Sequence, residues 1–417
     1  MVNYNLNNNF SKKDIVLFIL LYLSLLISFY FGENSTGGAI IDYNGQKNVS
    51  QDFASSFKST LLNYDNYGTR HSPILIIFLS FFEKLNFSDY SIRLIHLHIC
   101  LLLPLFFYKS LKIKFNNNKA IILLTSLVFL SPTFRSLSIW PDSRIFGLIF
   151  FVFSIYFLIK FERHQHLRLA YLAILFLAIS SYLSPNFSVF GIYFLFKFLN
   201  FYSLKSKNFL KIILLNIILA LPAFYFVFIL GINFMNKPAG IGITEKNIFF
   251  TNIFNQVMII PTIVVFYLIP FIVTKVLNFE ISLNIKSLLL TLIIFSISII
   301  NFDYNYNFSG GGIFFKISYF FFQNNYLFYL ISFLSLYLLS ELNKKKLINL
   351  FILALILLNN PQETIYHKYY DPFLMISFFL LFNFDIKLEN LQKKRNIVFL
   401  YLYFLFFLVL SFAKTYV

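Results

Sequence analysis

Charge is scarce in this chain: Asp, Glu, Lys and Arg make up 12% of its 417 residues, where soluble globular chains carry roughly 25%. So little charge cannot cover a water-facing surface, which excludes a water-soluble enzyme. Cysteine is scarcer still. With Cys100 alone, neither an intrachain disulfide nor a multi-cysteine metal site within one chain can form. Tryptophan occurs once, as Trp140, and acids are half as numerous as bases, 17 against 34. In a soluble protein a formal net charge of +17 would suggest nucleic acid. Here 59% of residues are hydrophobic and the mean hydropathy is +0.74, so the basic excess belongs to loops that orient a membrane protein, and no nucleic-acid partner is expected.

What the chain has in abundance is apolar length. Its 60 Phe, with many Asn, Ile and Lys, fit an AT-rich coding bias filling lipid-facing positions, and the Phe receive no functional role. A bilayer core of roughly 30 Å needs about 20 apolar residues per helix, fewer where flanking side chains snorkel. Uncharged runs occur at about 15–31, 91–108, 120–139, 143–159, 169–184, 187–203, 210–230, 254–273, 287–301, 325–340, 347–359, 372–384 and 396–413. The fold class expected is therefore an all-α polytopic membrane protein of about 13 transmembrane helices, with 1–417 as one integral membrane domain. The opening run follows Lys12 and Lys13 and reads as a signal anchor rather than a removed signal peptide.

The run at 72–82 decides the topology. Counted as a span, it would invert everything after it; counted as a surface helix, it leaves 32–90 as one long first extracytoplasmic loop. With the N-terminus inside, the inner segments hold most of the 34 basic residues, including Lys109, Lys112, Lys114 and Lys119, then Lys160, Arg163 and Arg168, then Lys393, Lys394 and Arg395. That asymmetry predicts a cytoplasmic N-terminus.

Ionisable residues inside spans mark ion or proton pathways, and these spans hold few: Arg93, His96 and His98 in the second, and Arg135 near the end of the third. The inner loops carry no Gly-rich phosphate loop and no acidic cluster. Polar and ionisable residues collect instead in 32–90, 231–253, 302–323 and 360–371, which makes the outer face the working one. The first of these holds Glu33, Asp42 and Asp52, then Asp65 in Asn63-Tyr-Asp-Asn-Tyr-Gly-Thr-Arg-His-Ser-Pro73. The next outer turn, Ser131-Pro-Thr-Phe-Arg-Ser-Leu-Ser-Ile-Trp-Pro-Asp-Ser-Arg144, packs Arg135, Asp142 and Arg144 beside Trp140, which reads as an interfacial anchor. The last polar outer loop contains His367-Lys368-Tyr369-Tyr370-Asp371-Pro372.

This layout resembles the superfamily C glycosyltransferases, polytopic enzymes similar to protein O-mannosyltransferases, the lipid A aminoarabinose transferase and rhizobial lipopolysaccharide core transferases. The resemblance covers the first 170 residues best: an opening span, a long outer loop with an early Asp, a Pro-containing entry to a surface helix, and Arg93-Leu94 opening the second span. Where the family often has Pro-Pro, this chain has His71-Ser72-Pro73. Beyond residue 170 only the topology agrees. The resemblance implies transfer of a sugar from a polyprenyl-phosphate donor to a lipid-linked glycan, polysaccharide or protein acceptor, at the extracytoplasmic face of a bacterial inner membrane. Donor, acceptor and membrane lipids are the expected partners.

That chemistry sets its own requirements. A carboxylate must take the proton of the acceptor hydroxyl as it attacks the anomeric carbon, and cations must hold the departing phosphate. Asp42 matches the family's early acid, placed just beyond Gly37-Gly38, where glycine permits a tight turn. Asp142 is the second catalytic candidate, alternatively positioning the acceptor or a divalent cation, or simply pairing with Arg135 or Arg144; the cofactor is otherwise unknown. The donor phosphate would be held from among Arg70, His71, Arg135, Arg144, His367 and Lys368, with Arg135 and Lys368 leading. Two rival readings stand beside this one. A polysaccharide polymerase or ligase would use a pyrophosphate donor and a large late loop, whereas the large loop here is early. A lipid or polysaccharide flippase should line its spans with charge.

Overall fold

The computed structural model describes residues 12–68, 72–229, 253–279, 284–307, 310–343, 346–360, 362 and 364–416. It is 81% helical with no strand among the described residues, and its one β-type contact is an isolated bridge between Leu277 and Ile386. Among the described residues, six helices are long and apolar enough to cross a membrane: Asp89–Lys114, Ser143–His164, Lys207–Ile229, Ile253–Val273, Tyr326–Asn343 and Lys394–Ala413. The protein is therefore an α-helical polytopic membrane protein. Ile253–Val273 is 78% buried and stands at the centre, whereas Lys207–Ile229, 6% buried, turns Leu214, Leu221 and Phe228 outward. Such a face is stable only against lipid.

The thirteen runs of the sequence do not all become long helices. The third is broken at Ser131-Pro132 into Asn118–Leu130 and Pro132–Ile139, bent by 62°, because Pro132 has no N–H to continue the ladder and Ser131 instead caps the new helix, accepting from Phe134 N at 2.9 Å. If the bent pair is one span, the count is seven. Asp14–Tyr30, Leu167–Leu183, Pro185–Leu199, Ile285–Ile300 and Leu347–Leu358 are shorter apolar helices. The run at 372–384 yields only Phe373–Leu380, an eight-residue helix buried on every side, roughly 12 Å long at 1.5 Å per residue. Conversely, Gly312–Phe322 is an apolar helix inside a stretch that reads as a polar loop.

In the segment 32–90, Ala39–Ser55 is a polar helix with one buried stripe of Ala39, Tyr43, Gln46, Val49, Ser50 and Phe53. It packs on Pro73–Lys84, a helix capped by Ser72 and opened by Pro73. At 12 residues, or about 18 Å, Pro73–Lys84 is too short to cross a bilayer core alone. Val49, Phe53, Tyr64 and Ile76 form a small core of their own there.

Polar contacts divide the bundle into two ends. Tyr43 and Lys47 both donate to Asp89 at 2.7 and 2.8 Å, fixing Ala39–Ser55 at the start of Asp89–Lys114. At the far end of that helix, Lys114 lines a cavity with Glu162, Tyr193 and Lys197, and Lys197 pairs with Glu162 at 2.8 Å. Between Arg144 and Glu162 the Ser143–His164 helix rises roughly 27 Å, close to the thickness of a bilayer core.

Candidate active site

Three segments distant in sequence meet at the Asp89 end. Gly37 adopts a left-handed φ of +77°, which turns the chain into Gly38 and the helix Ala39–Ser55. Asp42 lies in the first turn of that helix. Its Oδ2 accepts from Arg144 at 2.8 Å and from Lys368 Nζ at 3.2 Å.

Arg144 is held from behind by Asp142, the N-cap of Ser143–His164. Asp142 Oδ1 accepts from the Arg144 backbone N–H at 2.7 Å and from Nε at 2.9 Å, while Oδ2 accepts from the guanidinium at 2.7 Å. This two-pronged fork fixes the plane of the guanidinium, which also packs 5.2 Å from the centre of the Tyr369 ring. Asp142 is nearly sealed, with 1% of its side chain exposed, against 31% for Asp42. Of the two acids, Asp42 is therefore the one a reactant can reach, and Asp142 orients Arg144.

The loop bearing Lys368 is fixed by Asp371, whose Oδ2 accepts from Ser131 Oγ at 2.5 Å and Thr133 N at 3.0 Å, joining it to the bend at Pro132. Burial pushes the Asp371 carboxyl up, against these hydrogen bonds. Burial and the neighbouring Arg144 lower the Lys368 pKa, while Asp42 and Asp142 oppose them. Burial raises the Tyr369 phenol to about 12, with Arg144 opposing. Arg144, Lys368, Tyr369 and Asp371 line a narrow, half-open cleft of about 30 Å³ that runs on past Leu148, Ser184 and Asn359.

The other candidates go elsewhere. Arg135 is buried and donates Nε to Glu33 Oε2 at 2.9 Å, with its guanidinium also on Ser28 Oγ, on Ser24 O at 3.3 Å and on Phe129 O at 3.4 Å. It ties the first helix to the bend and is spent on Glu33, so Arg144 takes the place beside Lys368 that the sequence reading gave to Arg135. His367 Nδ1 faces Tyr267 OH at 3.3 Å, and its ring packs against Phe266 and Phe407. Arg70 and His71 lie outside the described residues. Asp52 accepts from Tyr67 OH at 2.9 Å on the exposed side, and Asp65 is exposed. Trp140 is more than an anchor: its Nε1 donates to Glu33 O at 2.9 Å, and Arg93 stacks 3.5 Å from its ring centre.

Sequence reasoning missed Tyr369 and the cleft residues Ser184, Asn186 and Asn359. The signal available was the polar break at Ser184-Pro185-Asn186 and at Asn359-Asn360 between apolar runs. No group of three His, Cys, Asp or Glu able to hold a metal ion occurs among the described residues. A larger apolar groove of about 400 Å³ lies between Ile253–Val273, Ile285–Ile300, Tyr326–Asn343 and Leu347–Leu358, with Lys286 as its single charged lining residue. No acid lines that groove. No family model matches the chain, and neither a curated protein nor a solved structure matches it.

Proposed function

We propose that the protein is a membrane glycosyltransferase of the superfamily C kind, moving a sugar from a polyprenyl-phosphate donor to a glycan, lipid or protein acceptor. The observation that carries this reading is the meeting of Asp42 with Arg144 and Lys368 beside a cleft, at one end of the helices. An accessible carboxylate next to two cations is the minimum set for this reaction. The acceptor oxygen attacks the anomeric carbon as the sugar–phosphate bond breaks; its proton passes to Asp42, and the bonding electron pair leaves with the phosphate. Arg144, aimed by Asp142, and Lys368 take up the charge that grows on that phosphate.

The same geometry supplies an order of events. Both cations rest on the Asp42 carboxylate. An arriving phosphate competes for them, and the carboxylate it releases is then free to accept a proton. The base is thereby engaged only when a leaving group is in place.

In this reading the Asp42 end faces outward from a bacterial inner membrane and the N-terminus is cytoplasmic. The grouping of Lys114 and Lys197 at the opposite end of the bundle supports that orientation through the positive-inside rule. Thirteen crossings require the shorter apolar helices and the buried Phe373–Leu380 segment to complete passages with their flanking residues. The test is release of polyprenyl phosphate from candidate glycosylated donors by the purified protein. A flippase would instead move the intact lipid across a vesicle membrane with no release, and a polymerase or ligase would require a pyrophosphate donor.

A further inference from the structure

Beyond its charged residues, the cleft is walled by Leu137, Ile145, Leu148, Phe187 and Phe373. Besides Thr133 and Tyr369, three neutral polar side chains interrupt these walls: Ser184, Asn186 and Asn359. None of the three makes a side-chain hydrogen bond among the described residues, and the Asn359 Oδ1 is buried with no partner. Asn359 is 3% exposed and cannot turn to solvent. Its backbone is fixed as the cap of Leu347–Leu358, with its N–H on Leu355 O at 2.8 Å. Other buried amide oxygens also lack a partner among the described residues, Asn360 Oδ1 included, but Asn359 is the one of them that lines this cleft, where a ligand donor can reach it.

The surroundings narrow what that donor is. An amide oxygen accepts only, so the ligand must bring an O–H or N–H. Arg144 and Lys368 are already matched by Asp42 and Asp142, and Asp371 is held by Ser131 and Thr133, so the cleft offers no spare partner to an amine or a carboxylate, and burying either one unpaired is costly. What remains is a hydroxyl on an uncharged body, with apolar C–H surface to set against Phe187 and Phe373. Resting on the transferase reading above, we infer that Asn359, with Asn186 and Ser184, binds the hydroxyls of an uncharged sugar ring whose phosphate lies on Arg144 and Lys368. The donor sugar is then a neutral hexose or pentose, in preference to an amino sugar or a uronic acid. Gly147 sets the width of the cleft: a Cβ there would come within 2.6 Å of Ser184 Cβ, so only glycine lets Ser143–His164 approach Ser184 this closely.

The test is equilibrium binding to the full-length protein in lipid nanodiscs, with polyprenyl phosphate bare or carrying one glucose, galactose or arabinose, and with the free sugar alone. Wild type is expected to bind at least one neutral glycosylated lipid more tightly than the bare lipid. Asn359→Leu, close in size, should weaken that binding roughly five- to a hundredfold while leaving the bare lipid unchanged. Discrimination that survives Asn359→Leu in a folded variant overturns the inference. Failure of wild type to distinguish any of these three glycosylated lipids from the bare one overturns the inference, whereas the transferase reading falls separately, if no donor, neutral or charged, releases polyprenyl phosphate. Free sugar bound tightly in an Asn359-dependent manner would make the cleft an acceptor site and overturn the assignment to the donor. If Asn359→Leu does not fold, Asn186→Leu at the half-exposed wall of the cleft is read the same way: lost discrimination supports the inference and retained discrimination overturns it.

Discussion

Removing Arg144 separates its two tasks. In Arg144→Ala, Asp142, whose side chain is 1% exposed in the wild type, loses two side-chain hydrogen bonds at 2.9 and 2.7 Å and the guanidinium that its carboxylate grips. Breaking a buried ion pair from one side costs about 3–5 kcal/mol, because the surviving charge stays buried and uncompensated. The second substitution, Asp142→Asn, removes that charge and keeps a side chain that still caps the Ser143–His164 helix. Arg144→Ala/Asp142→Asn should therefore recover much of the loss, leaving a deficit of about 1–2 kcal/mol, which is a strongly non-additive cycle. Sugar transfer should stay absent in both, since neither restores a guanidinium to the donor phosphate. Thermal unfolding in lipid nanodiscs and donor turnover, measured on the same preparations, read the two effects. A single variant as stable as wild type would refute the reasoning, and so would a double variant no more stable than the single one.

Four further outcomes follow from the same geometry. Asp42→Asn should fold and bind donor yet lose about 10²–10⁴-fold in transfer rate, since an amide cannot take the proton; near wild-type turnover would move the base elsewhere. Lys368 must be protonated to hold a phosphate, and its pKa lies below the ordinary 10.5, so donor affinity should fall at a pH lower than that value. Lys368→Arg should push the fall upward, and an unchanged alkaline limb would remove Lys368 from the phosphate site. Arg135→Ala should destabilise by about 3–5 kcal/mol through the buried Glu33 it abandons, while the folded fraction keeps its turnover per molecule; a stable but inactive variant would return Arg135 to the donor. In a Cys100→Ser background, an impermeant maleimide on whole cells should label Asn48→Cys and spare Asn116→Cys, and the reverse pattern inverts the orientation.

The helical membrane class was legible from hydropathy alone, because apolar runs long enough to span a bilayer have few other uses. The number of spans was not. An apolar run reads alike whether lipid or protein surrounds it, and Phe373–Leu380, buried on every side, has the composition of a crossing helix without its length. Within the site, Asp42, Asp142, Arg144 and Lys368 could be nominated because polar residues beside apolar spans are conspicuous. The choice between Arg135 and Arg144 could not be made from the same turn of sequence. It rests on a 62° bend at Pro132 and on Glu33, whose reach to Arg135 is a three-dimensional fact. Asn359 escaped notice because an Asn in an Asn-rich chain carries no signal until its neighbours show that its carbonyl has been left open.

The central claim is that Asp42, Arg144 and Lys368 together break a sugar–phosphate bond, and it is tested most directly by following polyprenyl phosphate released from glycosylated polyprenyl phosphates by the purified protein in bilayers. The account predicts release by the wild type with at least one neutral sugar donor, and its loss in Asp42→Asn with the donor still bound. Binding of every donor without release, coupled to passage of the intact lipid across the bilayer, would contradict it.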